Sequence, residues 1–401
     1  MKDRNFNIGT LLLQNGYPQE AQPYLEKCDT QDPDVALNLG ACYRQQNRFR
    51  EAGRLFSYAA DKTDSPMAWT NIGTLYEDLG EFCEALLCHE KAHRMAPQHP
   101  QIALHYAMSL IRFGRLEEAW PLWELGRSPN DHAYPNLPRW ESAPDGECYG
   151  NSWGKKILIC REGGFGDAFL YLRWFKNLKD LGFHITFWVW DSVIPLLQGH
   201  PWIDCLLPAS EGVHIFNEDN TLKYDFCLPL MSLPAALGIT ENLAVPDSYI
   251  ECNPCEGPVK GRVGFCWAAE ENTVIRKHRS LPDFDAQKLV HLERDHVWVS
   301  LVPSISLQGP STYANIILKN WRDTAEIIKS CELVISVDTA VAHLAGALGV
   351  PTWILLPKRR DPKWGMPDKP FNWYPNVRYF NQTDVIKWDN VIEEVREALG
   401  A

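Results

Sequence analysis

The chain has 401 residues, 45% hydrophobic and 22% charged, enough for two or three domains of ordinary globular composition, each with its own core. A formal charge of −12 counts against a protein whose main affinity is for nucleic-acid phosphate, although local basic loops could hold a single phosphate. The first residues carry no apolar run of signal-peptide type, and the 12 cysteines lack the spacing of a small disulfide scaffold, so reduced thiols and a cytoplasmic location are expected.

Residues 1–127 carry a repeated pattern. Gly9, Gly40, Gly73 and Ala107 stand 31, 33 and 34 residues apart, and Ala21, Ala52, Ala85 and Ala119 follow them by twelve. Four further on stand Leu25, Phe56, His89 and Trp123, and Pro33 and Pro97 close two of the copies. Small residues at both alignment positions let paired helices approach, with the large ones filling the gap between repeats. The period and positions resemble tetratricopeptide repeats, which predicts a helical array with a surface for a protein or glycan partner, or a spacer. Residues 128–153, with Pro129, Pro135, Pro138, Trp140, Pro144 and Trp153, read as an ordered connector whose tryptophans dock on one lobe.

A first α/β lobe is expected over 154–256. The apolar run Lys155–Cys160 predicts a buried strand, Gly163-Gly164-Phe165-Gly166-Asp167 a turn, Ala168–Phe175 a helix, and His184–Trp190 a second strand. Open parallel sheets bind ligands at such turns, where glycines let the main chain come close. Asp167 stands where it can cap the helix or take a proton from an attacking hydroxyl.

The second lobe, 257–401, opens with the strand Arg262–Trp267 and a polar stretch ending at Arg279-Ser280. Strand Leu333–Val337 leads into a helix begun at Asp338-Thr339-Ala340-Val341 and containing His343; strand Thr352–Leu356 follows, then Lys358-Arg359-Arg360. The stretch 339–356 is apolar enough to suggest a membrane span, but His343, Gly346, Gly349 and Pro351 divide it into a short helix and a strand. Helix-start amides, Arg279 and the 358–360 loop together suit a diphosphate; Asp338 reads as the helix cap or a contact to a sugar hydroxyl. Cys252-Asn253-Pro254-Cys255 lacks a second pair at zinc spacing, and neither Asp283-Phe284-Asp285 nor Asp32-Pro33-Asp34 supports a metal site.

Taken together, these motifs resemble tetratricopeptide-repeat proteins that carry a family 9, heptosyltransferase-like glycosyltransferase domain. The resemblance rests on Glu162–Asp167, Gly261–Trp267 with Arg279-Ser280-Leu281, Ser336–Gly349 and Trp373-Tyr374-Pro375. It implies a helical-repeat array followed by two Rossmann-like lobes of GT-B type, and inverting transfer, without metal or cofactor, from a nucleotide-diphosphate sugar. Asp167 would then be the base, beside the acceptor-side loop Gly163–Gly166. Trp267, Arg279, Ser280, Asp338, Thr339, Ala340, Val341, His343 and Lys358 would hold the donor. The acceptor would be a glycan, a protein or, against the acidic balance, a modified nucleic-acid base. Ala268-Ala269-Glu270 and Val302 depart from the family pattern, which keeps a non-catalytic, nucleotide-sensing scaffold as the alternative.

Overall fold

The computed structural model describes residues 4–127, 137–140, 152–241, 248–252, 258–269, 278–291, 296–302, 307, 313–314, 316 and 318–400. Glu270, Cys255, Asn253, Pro254 and most of the proline-rich connector, including Pro129, Pro135 and Pro144, lie outside the described residues. The chain divides into two compact units.

The first unit contains residues 1–127. Its described helices form pairs: α1 (Arg4–Gln14) with α2 (Pro18–Leu25), α3 (Pro33–Gln45) with α4 (Phe49–Thr63), α5 (Pro66–Leu79) with α6 (Phe82–Met95), and α7 (Pro100–Arg112) with α8 (Leu116–Gly126). Proline opens α2, α3, α5 and α7, where its missing N–H costs nothing and its fixed φ favours the helix. A Cβ on Gly9, Gly40 or Gly73 would come within 2.6, 2.6 or 2.5 Å of Leu25, Phe56 or His89. The large residue therefore packs on the small residue of its own pair and, as its spacing suggested, also reaches the next repeat: Leu25 meets Leu39 and Cys42, Phe56 meets Leu75, and His89 meets Ser109. The helices of one pair touch across this small–large contact, so only glycine leaves room for the ring.

His278 and the segment 358–369, distant in sequence, belong to this same unit. The segment lies between two strands of the α/β region in sequence, yet the short turn Pro362–Trp364 packs on α7.

The second unit holds two parallel sheets. The front sheet has β1 (Lys156–Cys160), β2 (His184–Val189), β3 (Cys205–Pro208) and β4 (Phe226–Pro229), in the order β3-β2-β1-β4. Ile157 pairs with Ile185 on one side and with Phe226 on the other. The rear sheet has β5 (Arg262–Cys266), β6 (Val297–Ser300), β7 (Tyr313–Ala314), β8 (Leu333–Val337), β9 (Thr352–Leu356) and β10 (Val377–Asn381), in the order β10-β9-β8-β5-β6-β7. Four of the five residues of β1, β5 and β8 are buried, as expected of parallel strands covered on both faces.

The described α-helices of this unit are α9 (Phe165–Tyr171), α10 (Phe175–Asp180), α11 (Ile194–Leu197), α12 (Leu233–Ala236), α13 (Asp283–Val290), α14 (Trp321–Lys329), α15 (Ala340–Ala347) and α16 (Asp389–Leu399). Trp140 docks on the front sheet: its main-chain N–H donates to Cys227 O at 3.1 Å, and its ring meets Phe183 edge-on at 5.4 Å. Trp153, by contrast, is 75% exposed. Among the described residues no helix is long and apolar enough to cross a membrane.

Candidate functional site

In each sheet the strand order reverses once. Chain progression runs outward from β1 through β2 to β3 and then switches to β4; from β5 it runs through β6 to β7 and then switches to β8. Loops leaving the carboxyl ends of the strands diverge at such points and open a crevice. The glycine turn follows β1, and the turn 338–340 follows β8, so both lie at switch points.

The front turn is built around one carboxylate. Gly164 precedes α9 in extended conformation, and its N–H donates to Asp167 Oδ2 at 2.7 Å. Gly163 has φ +68, and a Cβ there would strike the Asp167 carboxylate. Glycine is thus required at 163 by both backbone and space. Asp167 is half-buried and performs the helix-capping role while remaining at the sheet's carboxyl edge.

The rear turn is built differently from its sequence expectation. Thr339, not Asp338, occupies the cap position of α15. Asp338 is 1% exposed and pairs with Arg279 Nη1 at 3.2 Å, joining the loop after β5 to the turn after β8. A carboxylate this buried requires a partner, and the guanidinium supplies it. Thr339 Oγ1 lies 3.1 Å from Ser336 Oγ and 3.5 Å from Cys266 Sγ. Burial pushes the Cys266 thiol pKa up, so it remains a neutral neighbour. Ser280 Oγ accepts the N–H of Ala269 at 2.9 Å and pins the same loop. The first amides of α15, at Ala340 and Val341, have no acceptor within the helix and carry the positive end of its dipole.

The two turns meet. A Cβ on Gly166 would lie 2.8 Å from His343 Cδ2 and 3.3 Å from Ala340 Cα. Two helix starts, one from each sheet, therefore abut with only a hydrogen between them. His343 is buried and shares a 2.9 Å hydrogen bond with Tyr374 Oη through Nδ1. Burial, then Tyr249, raise the Tyr374 phenol well above its ordinary value and keep it protonated. His343 is thus a packed residue holding α15 in place. Trp267 is fully buried, 5.6 Å from Phe265, and its side chain belongs to the rear core. Lys358 lies beside Gly80, a cap residue of α5, and with Arg359 and Arg360 belongs to the unit formed with the repeats.

Arg173 and Arg161, not singled out from the sequence, shape this region together with Phe165 of the acceptor-side loop. Arg173, 4% exposed, donates to Leu170 O at 2.9 Å, Trp373 O at 2.9 Å and Tyr249 Oη at 3.2 Å. Its guanidinium also faces Tyr374 at 4.9 Å and Trp373 at 5.1 Å, and so links front and rear lobes through carbonyls and aromatic faces. Phe165 meets Trp190 of the front lobe and Trp321 of the rear lobe, each at 5.2 Å. Arg161 stacks over Trp188 at 4.9 Å and Trp190 at 5.2 Å. For Arg161 and Arg173 the sequence signal was abundant tryptophan.

The chain thus carries paired-helix repeats that precede a twin parallel-sheet α/β region. The family model described as Tetratricopeptide repeat matches residues 12–70. Over the whole chain it is similar to Protein FlbA of Caulobacter vibrioides, 21% identical, with 98% of this chain and 77% of that protein covered. The ADP-heptose lps heptosyltransferase II structure of E. coli is similar at 14% identity and a TM-score of 0.44, covering 61% of this chain and all of that one. The crystal structure of MamA is similar over 30% of this chain and 74% of that one, at 20% identity and a TM-score of 0.27.

Proposed function

We propose that the protein is an inverting glycosyltransferase that moves a sugar from a nucleotide-diphosphate donor to a hydroxyl on a large acceptor, without a metal. The observation that carries this reading is the abutment of the Gly163–Asp167 turn and the N-terminus of α15 at Gly166–Ala340. It sets a carboxylate from one sheet beside the dipole and amides of a helix from the other.

In the proposed reaction, Asp167 accepts the acceptor hydroxyl's proton as the oxygen attacks the anomeric carbon. The new carbon–oxygen bond forms as the bond to the diphosphate breaks, inverting the centre. Negative charge develops on the departing diphosphate, where the α15 amides and Arg279 stabilise it. Asp338 holds Arg279 at the rear switch point until the donor arrives. The hydrogen bond from Gly164 fixes the direction of the Asp167 carboxylate, so capping and proton acceptance are compatible. Phe165, Trp190 and Trp321 offer half-buried aromatic faces beside this turn for an acceptor to lie on.

The test is Asp167→Asn assayed against a panel of nucleoside-diphosphate sugars. Turnover should fall by about 10²–10⁴-fold, while calorimetric binding of the nucleoside diphosphate stays within about twofold. Near-normal turnover removes Asp167 as base. The capping bond of Asp167 also favours a second reading, a non-catalytic scaffold that binds nucleotide. Binding of a nucleoside diphosphate without transfer or hydrolysis of any donor in the panel would select it.

A further inference from the structure

The repeat face around Asp78 already has an occupant. Asp78, near the end of α5, is 1% exposed; Oδ2 pairs with Arg44 Nη1 at 2.9 Å, and Oδ1 with Arg359 Nε at 2.8 Å. Asp78 and Arg112 each stand five residues after the small residue of successive copies, Gly73 and Ala107, so the first helices of adjacent pairs place them side by side. Arg112 in turn donates through Nη2 to the main-chain carbonyl of Arg360 at 3.1 Å and stacks on Phe82 at 4.0 Å. Next in the segment, Asp361 accepts the N–H of Lys363 and begins the short turn that seats Trp364, which is fully buried.

The chemistry of this contact is specific. The repeats supply one buried carboxylate for a guanidinium and one buried guanidinium for a carbonyl, and the segment supplies both complements on consecutive residues. Burial lowers the Arg360 guanidinium to about 10, with Arg112 acting in the same direction, so this cation is seated at a cost that the other contacts must offset. His278 is shifted down by burial and then by Arg359, and Asp78 pulls it the other way, which brings it into the same electrostatic cluster. His278 and the segment follow β5 and β9 in sequence, as do loops at the carboxyl edge of the rear sheet.

We propose that the face of the repeats around Asp78 and Arg112 is a docking site for the chain's own segment 358–369, whose seating there orders the loop after β9. The third and fourth repeats then hold, within their own unit, a segment that follows β9 in sequence. This inference does not depend on glycosyl transfer, because the contact can be tested without activity.

The experiment is limited trypsin digestion of the full chain, followed by mass spectrometry. The segment offers cleavage after Lys358, Arg359, Arg360 and Lys363, and in the wild type these sites should be cut slowly. Asp78→Ala should raise cleavage after Lys363 at least tenfold. Should Asp78→Ala fail to fold, Arg359→Ala removes the same pair from the segment side and leaves every repeat residue in place. It should give the same tenfold increase while residues 1–127 stay resistant. Arg48→Ala, which removes an exposed pair with Glu51 and a stacking contact on Tyr43 in the second repeat, serves as the control and should leave cleavage unchanged. Unchanged cleavage at Lys363 in the folded variants would overturn the proposal. So would Arg359→Ala opening the repeats at the same rate as the segment.

Discussion

Mild acid should loosen the repeats through His89. This side chain is fully buried, packed on Gly73, with Nδ1 2.8 Å from Ser109 Oγ. Burial, the largest effect, lowers its imidazole from 6.5 to about 4, a fall that a backbone hydrogen bond at Thr70 partly opposes. The unfolded chain therefore binds the extra proton between pH 6.5 and about 4, while the folded chain does not. Stability that is complete above 6.5 is lost as the pH falls toward 4. At about 1.36 kcal/mol per pH unit the whole window is worth roughly 3 kcal/mol, of which about 2 kcal/mol is lost between pH 7 and 5. His105, its ring 5.4 Å away and also lowered to about 4 by burial, acts in the same direction. Glu77 has the opposite sign, because burial raises its carboxyl and the folded state takes up that proton first.

A substitution separates these contributions. His89→Phe installs the residue type that fills the same position as Phe56 in the second copy, and it removes the titrating group. Hydrogen exchange of α5–α7 peptides, corrected for the intrinsic pH dependence, reports the local opening free energy. Wild type should lose about 2 kcal/mol more than His89→Phe between pH 7 and 5. Equal losses in the two proteins would refute the assignment.

Three further outcomes follow from the contacts between and within the lobes. Gly166→Ala should destabilise the α/β unit by about 1–3 kcal/mol in urea denaturation and weaken nucleoside-diphosphate binding, since His343 is pinned by Tyr374 and cannot move aside. Arg173→Ala should cost about 2–6 kcal/mol in the same assay, about 1–3 kcal/mol for each of the carbonyls of Leu170 and Trp373 that it leaves without this donor. Arg173→Lys should recover less than half, because an ammonium cannot reproduce the fork. Gly163→Ala, at φ +68 and against the Asp167 carboxylate, should cost about 1–3 kcal/mol and reduce turnover more than it reduces donor binding. Equal loss of both in that last variant would detach the turn from chemistry.

Much of the architecture was legible because its signals are local. The Gly73–His89 and Gly40–Phe56 spacings follow from helix periodicity, and strands β8 and β9 fall at the expected Leu333–Val337 and Thr352–Leu356. The four-residue strands β3 and β4 went unread: each ends in Leu-Pro or Cys-Leu-Pro, and edge position, not pattern, makes them strands. The helix expected over 168–175 starts earlier, at Phe165, and is broken by a tighter turn at Leu172–Trp174.

What the amino-acid order determined by itself was the set of parts: paired helices with glycine against a large residue, and strands that end in glycine or Asp-Thr turns. Those depend on neighbours within one or two turns of chain, where periodicity and backbone preference dominate. Tertiary structure alone decided the pairings among charges: Asp338 with Arg279 instead of the helix end, Arg173 with carbonyls and rings, and Arg359 with Asp78. A buried charge must find a partner wherever the fold brings one, and no spacing rule records a partner 59, 200 or 281 residues away.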